Sequence, residues 1–271
     1  MQSPFITKSI SESYHGNLIE VYFARKSGFF RPITRAVEKA ACGLFLCFTN
    51  RSGSTLLAAE ASSLGFCGKP NKYLNYEFFN SEFVIEFCEG NSIYSLQQYV
   101  DAICEEFRSP LDIFFTKCSL DQLTWLRRVG VIGVAYPVHR YSRILRQDLI
   151  AQSVSYVIAE QTGLWTSVHK PTDRVAIYDG GKISAVLAHI SRTEADANLW
   201  FNIIDVEPAI FVYEEIALSL TEIGSKLQQL TGIGPLPRRN PTLDIHCQTQ
   251  QVNLEWCRRF KQEVLTATGV I

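Results

Sequence analysis

Between Gly43 and Val212 the chain alternates short, wholly apolar runs with longer segments in which apolar residues recur at helical spacing. The first run, Leu44-Phe45-Leu46-Cys47-Phe48, contains no polar position, as a central parallel strand covered on both faces requires. A helix is predicted next, because Leu56, Leu57, Ala59, Glu60, Ser63 and Leu64 continue without a breaker until Gly65. Further strands are predicted at residues 113–116, 141–145 and 209–212, with helical segments between them, one of which covers residues 148–160. This alternation predicts an α/β fold: a three-layer αβα arrangement with a central parallel sheet. Ligands of such sheets bind beyond the carboxyl ends of the strands, so functional residues are expected just after these runs.

Residues 1–40 are less patterned and are read as an N-terminal extension to a compact domain over residues 41–271. Arg25, Lys26, Arg31, Arg35 and Lys39 surround Gly28-Phe29-Phe30 there, which predicts a solvated segment packed by its aromatics.

Composition narrows the function. A chain of 271 residues, 46% hydrophobic, can bury one good-sized core. Its 26 basic and 27 acidic side chains nearly cancel, so no overall field favours nucleic acid or an anionic membrane, and any anion site has to be local. No apolar run reaches the roughly 18 to 20 residues that span a bilayer, and the N-terminus carries no export signal; a cytoplasmic protein without a transmembrane segment is expected. The eight cysteines are scattered through apolar stretches with no Cys-x-x-Cys pair, and the five histidines show no i, i+4 pairing. Small core thiols are therefore expected, and no metal site.

The candidate chemistry lies in Thr49-Asn50-Arg51-Ser52-Gly53-Ser54-Thr55, directly after the first predicted strand. A strand-loop-helix corner aims successive backbone N–H groups and the positive end of a helix dipole at one point, which stabilises phosphate or sulfate. Gly53 permits close backbone approach, Ser52, Ser54 and Thr55 offer hydroxyl donors, and Arg51 offers a planar fork. A bare Ser-Gly-Ser reads as a helix cap; the flanking strand, Arg51 and Thr55 favour an anion site. The pattern Gly-x-x-x-x-Gly-Lys-Ser/Thr is absent, which disfavours nucleoside triphosphate chemistry. Arg146 ends the strand at 141–145 just before a predicted helix, so a second corner combines a cation with a helix N-terminus. Alone, Arg146 reads as a structural ion pair with Asp148 or Asp205. Two such corners suit a ligand with two separated anionic groups.

The segments Phe48-Thr49-Asn50-Arg51-Ser52-Gly53-Ser54-Thr55-Leu56-Leu57 and Gly65-Phe66-Cys67-Gly68-Lys69-Pro70 resemble the 5′-phosphosulfate loop of the bacterial trehalose 2-sulfotransferase family. The resemblance continues through Lys117, Leu145-Arg146-Gln147-Asp148, Gln152-Ser153-Val154-Ser155, Gln161-Thr162-Gly163-Leu164-Trp165, Tyr178-Asp179, Tyr213-Glu214-Glu215, Gln248 and Glu255-Trp256. It implies a sulfotransferase-type P-loop fold and 3′-phosphoadenosine 5′-phosphosulfate (PAPS) as donor, with adenosine 3′,5′-bisphosphate as product and no metal. It also implies a carbohydrate, glycolipid or glycosylated metabolite as acceptor, and a homodimer. Ser52, Gly53, Ser54 and Thr55 would cradle the phosphosulfate, Arg146 and Ser155 the 3′-phosphate with Gln152 nearby, and Gln248 would approach the adenine.

One position departs from the family. Where the family reads Gly-x-Pro-x-Glu with the glutamate as base, this chain reads Gly68-Lys69-Pro70-Asn71-Lys72. The catalytic candidates are therefore Arg51, for charge developing on the leaving oxygen, Lys72, and Glu77 as a substitute carboxylate; His139 is a weaker base. Lys117 matches a lysine of the family pattern and reads nearly as well as a surface cation at a strand end, and Trp125, Trp165 and Trp200 read as core anchors or sugar-stacking rings. Two other readings remain open at this point, a catalytically silent bisphosphate-binding module and a nucleoside triphosphate-dependent kinase.

Overall fold

Residues 42–48 of a computed structural model of the chain are all buried, and they form β1 (Cys42–Phe48) at the heart of one sheet. The structure describes residues 14–40, 42–69, 72–74, 82–166, 173–237 and 251–269. β1 is flanked by β2 (Ile113–Cys118) and β3 (His139–Leu145), and β4 (Ala209–Val212) pairs with β3, giving the order β2-β1-β3-β4. Every pairing is parallel. Because the order reverses direction at β1, the place where ligands of such sheets bind lies beyond the carboxyl ends of β1 and β3.

The two faces of β1 enter different cores, following the period of two of a strand. Phe45 and Cys47 join a core with α1 (Tyr14–Ser27), α3 (Glu82–Gly90), α4 (Leu96–Phe107), α5 (Leu120–Arg128) and α7 (Gly180–Ile203). Leu44, Leu46 and Phe48 join the other, with α2 (Ser54–Ser63), α8 (Tyr213–Leu218) and α9 (Thr221–Thr231). Helices thus cover both faces. A third cluster, Val154, Val157, Ile183, Trp256 and Phe260, packs α6 (Leu149–Thr162) against α7 and α10 (Gln251–Ala267).

Within residues 14–40, Ile19, Phe23, Ile33 and Val37 are buried in the first of these cores. Arg35 and Lys39 pair with Asp101 and Glu105 of α4. Six of the seven described cysteines are buried, and loss of hydration pushes the Cys47 thiol up to about 12. Among the described residues no helix is long and apolar enough to cross a membrane, and no group of three His, Cys, Asp or Glu side chains could hold a metal ion.

Trp125 and Trp200 are core residues. Trp125 donates its indole N–H to Glu20 at 2.9 Å, and Trp200 packs edge-on against Tyr141 and Phe201. His139 pairs in register with Gly43 at the start of both strands, remote from the carboxyl ends, so it is no candidate base. Tyr213, Glu214 and Glu215 open α8 directly after β4. The Glu214 carboxylate accepts from the backbone N–H groups of Gln147 and Asp148, fixing the corner after β3 from the edge of the sheet.

Candidate active site at the β1 and β3 corners

The loop from Thr49 to Gly53 turns sharply between β1 and α2. Arg51 has φ 64° and Gly53 has φ 90°, two left-handed residues within three positions. Gly53 is the N-cap of α2, so no serine hydroxyl serves as its cap, and a Cβ at this position would collide with the Tyr213 ring. Ser52 Oγ is fully buried and finds no hydrogen-bond partner among the described residues. Leaving a buried hydroxyl unsatisfied costs about 1–3 kcal/mol, so such an atom marks a place where a polar ligand or water belongs.

The two anion corners foreseen as separate meet in the structure. Arg146 Nη1 donates to the Arg51 carbonyl at 3.1 Å, and its guanidinium stacks 4.7 Å from the Tyr213 ring centroid. It pairs with neither Asp148 nor Asp205: the Asp148 carboxylate instead caps α6 by accepting from Ala151 N at 2.8 Å. Arg146 Nε is buried and lacks a partner among the described residues. The Arg51 side chain reaches across to α6 and the segment beyond it: Nε donates to Ser155 Oγ at 2.8 Å, and Nη1 donates to the Trp165 carbonyl. Arg51, Arg146 and Ser155 thus share one site, and Trp165 contributes to it through its backbone.

Gln152, nearly fully buried, donates from Nε2 to both Thr49 Oγ1 and the Asn50 carbonyl, at 2.9 and 2.8 Å. It braces the loop from behind, and its Oε1 is a third buried polar atom without a partner among the described residues. Ser54 is buried in the first turn of α2, and Thr55 Oγ1 accepts from Lys117 Nζ at 3.3 Å.

That last contact corrects the reading of Lys117 as a surface cation. Lys117 is 6% exposed, on β2 opposite Leu46 of β1, and its ammonium reaches the helix N-terminus beyond the loop. Desolvation, followed by the nearby charge of Lys72, depresses its pKa to about 8. Lys72 itself lies over the Phe48 ring, 5.0 Å from the centroid. The loop is therefore flanked by cations on both sides, Lys117 and Lys72 from the direction of β2, Arg146 from that of β3. Glu77 and Gln248 lie outside the described residues.

A second group escaped the sequence reading. Arg143, in β3 and 3% exposed, pairs with Glu194 of α7 at 2.6 Å, and the other oxygen of Glu194 accepts from Thr49 Oγ1 at 2.9 Å. An arginine inside a buried parallel strand was the available signal, since such a charge requires a partner.

A strand-loop-helix corner with buried donors that lack partners among the described residues, and with cations on either side, can hold an anionic group. The model of the Stf0 sulphotransferase family matches residues 44–263. The chain belongs to this family. Among curated proteins it is similar to a trehalose 2-sulfotransferase of Mycobacterium tuberculosis, at 23% identity, with 79% of this chain and 92% of that protein covered. It is also similar to a trehalose 2-sulfotransferase of Mycolicibacterium smegmatis, at 31% identity over 44% of this chain and 45% of that protein. The corner residues described above lie within the matched span.

Proposed function

We propose that this Stf0 sulfotransferase transfers a sulfuryl group from PAPS to a hydroxyl of a carbohydrate, glycolipid or glycosylated metabolite. The observation that carries the reading is the junction of Arg51, Arg146 and Ser155 beside the loop, where Ser52 Oγ and Arg146 Nε are buried and have no partner among the described residues. Those donors fit a nucleotide with two anionic ends. Arg146 and Ser155 suit the 3′-phosphate, while Arg51, the loop N–H groups from Ser52 to Thr55, and Lys117 beside Thr55 suit the 5′-phosphosulfate.

In the reaction the acceptor oxygen forms a bond to sulfur as the bond from sulfur to the 5′-phosphate oxygen breaks. The hydroxyl proton departs, and adenosine 3′,5′-bisphosphate leaves with negative charge on the former bridging oxygen. Preorganised cations lower the barrier by meeting that charge, the role assigned to Arg51, Lys72 and Lys117. Lys72, as an ammonium, cannot accept the proton, so Glu77 is assigned as its acceptor.

The test is incubation with sulfur-labelled PAPS and a sugar panel that includes trehalose, the substrate in the names of both mycobacterial relatives. Labelled sugar formed in equal amount to adenosine 3′,5′-bisphosphate is expected. Absence of any bisphosphate binding by calorimetry would overturn the reading. Lys72 in the family base position favours one second reading, a silent bisphosphate-binding module, which predicts tight product binding and no turnover in either the parent or Lys72→Glu.

A further inference from the structure

Arg143 and Glu194 form an ion pair that stability alone does not explain. Arg143 is buried and Glu194 is 21% exposed, and placing even one charge out of water is costly, so apolar residues of similar volume often hold a fold as well. The pair lies under the β1 loop. Glu194 Oε2 accepts from Arg143 at 2.6 Å, and Asn198 Oδ1 accepts from the same guanidinium. Glu194 Oε1 faces the other way and accepts the Thr49 hydroxyl at 2.9 Å.

A carboxylate can only accept, so the single hydrogen of the Thr49 hydroxyl is committed to Glu194. The Thr49 oxygen is left as an acceptor, and Gln152 Nε2 fills that position at 2.9 Å while also donating to the Asn50 carbonyl at 2.8 Å. Each link fixes the polarity of the next: Arg143 to Glu194, Glu194 to Thr49, Thr49 to Gln152, Gln152 to the Asn50 carbonyl. The chain ends on the residue before Arg51, whose left-handed backbone at φ 64° costs a residue other than glycine about 1–3 kcal/mol unless its surroundings impose it. Leaving Gln152 Oε1 buried without a partner among the described residues is the cost of aiming the amide N–H groups at the loop.

We propose that Glu194, clamped by Arg143, is a positioning residue of this enzyme: acting through Thr49 and Gln152, it holds the loop in its anion-binding conformation. The ligand side of this proposal rests on the donor reading above; the loop side does not.

Glu194→Gln keeps the volume but can donate to Thr49, which reverses the hydroxyl and sets it against the Gln152 amide. Two readouts separate the possibilities. Hydrogen exchange at amides 49–55 needs no ligand and is expected to accelerate at least tenfold in Glu194→Gln. Affinity for adenosine 3′,5′-bisphosphate is expected to fall about tenfold, with the KM for PAPS rising more than kcat falls. Thr49→Val should reproduce both effects and Thr49→Ser should restore them. Glu194→Gln combined with Thr49→Val should cost no more than either alone, because both cut one chain. If Glu194→Gln does not fold, the Thr49 pair decides. Loop exchange and product affinity within twofold of the parent in Thr49→Val, or full additivity of the two changes, overturns the proposal. A parent that binds no bisphosphate overturns the donor reading instead, and the exchange experiment still tests the loop.

Discussion

Arg146 donates a hydrogen bond from Nη1 to the backbone carbonyl of Arg51 at 3.1 Å, so the cation at the end of β3 grips the loop that follows β1. The two corners form one unit, in which a single guanidinium steadies a left-handed residue and, on the proposed function, also presents its charge to the donor. Removing it takes away both. Arg146→Ala is expected to weaken adenosine 3′,5′-bisphosphate binding by about 100-fold, on the scale of charge-assisted hydrogen bonds. Arg146→Lys should recover little of this, since a point charge cannot reproduce the fork that spans loop and ligand. Calorimetric titration checks it, and parent-like affinity in Arg146→Ala would remove this residue from the donor site.

Gly53 is the least replaceable position of the loop. Its φ of 90° already disfavours a side chain, and a Cβ there meets the Tyr213 ring. Gly53→Ala is therefore expected to lower stability by about 1–3 kcal/mol, from left-handed strain together with displacement of the ring on which Arg146 stacks. Product affinity should drop in the same variant. Urea denaturation measures the first effect; a variant as stable as the parent would mean that Tyr213 yields without cost.

Lys117 gives the site a pH dependence whose sign is fixed. Its folded pKa, about 8, is below the ordinary value of 10.5, so between these limits the unfolded chain holds a proton that the folded chain has lost. Stability contributed by this group therefore rises with pH from about 8 to 10.5, and below 8 the full burial penalty is present. Lys117→Met removes the penalty. The variant should melt above the ligand-free parent at pH 7, with the difference shrinking by pH 10, and it should lose sulfuryl transfer. In the parent, product affinity should decline above pH 8 as the ammonium deprotonates. A melting difference independent of pH would mean that Lys117 titrates at its ordinary value.

The parts of this site legible in the sequence are those built from neighbours in the chain. The apolar run at Leu44 to Phe48 marked a strand covered on both faces, and the residues after it, like Arg146 after β3, sit where a parallel sheet binds ligands. What stayed hidden depends on register and on long separations. The direction of the Lys117 side chain follows from its pairing opposite Leu46. Nothing local distinguishes that from a solvated strand end. Glu194 is 145 residues from Thr49 and belongs to a 24-residue helix with only five buried positions, so no spacing links the two. The same limit applied to Arg146, where Asp148 is two residues away and offered an ion pair, yet α6 takes that carboxylate as its cap.

At Lys72 the chain carries a lysine where the family resemblance implies a glutamate, and the nearby Lys117 gives its replacement a measurable signature. As a cation, Lys72 helps hold the Lys117 ammonium below its ordinary pKa. Lys72→Glu converts that repulsion into attraction, so the Lys117 pKa should rise from about 8 toward the ordinary lysine value. The decline of product affinity with pH should then move to more alkaline pH. The same substitution places a carboxylate where the resemblance implies the base, so turnover should be retained or increased. Affinity titrations from pH 7 to 10, with sulfate transfer measured at each point, read both effects together. An alkaline shift accompanied by abolished transfer would show that Lys72 contributes its positive charge to the reaction, and that the proton is taken elsewhere. No shift at all would separate Lys72 from Lys117 and from the reacting centre.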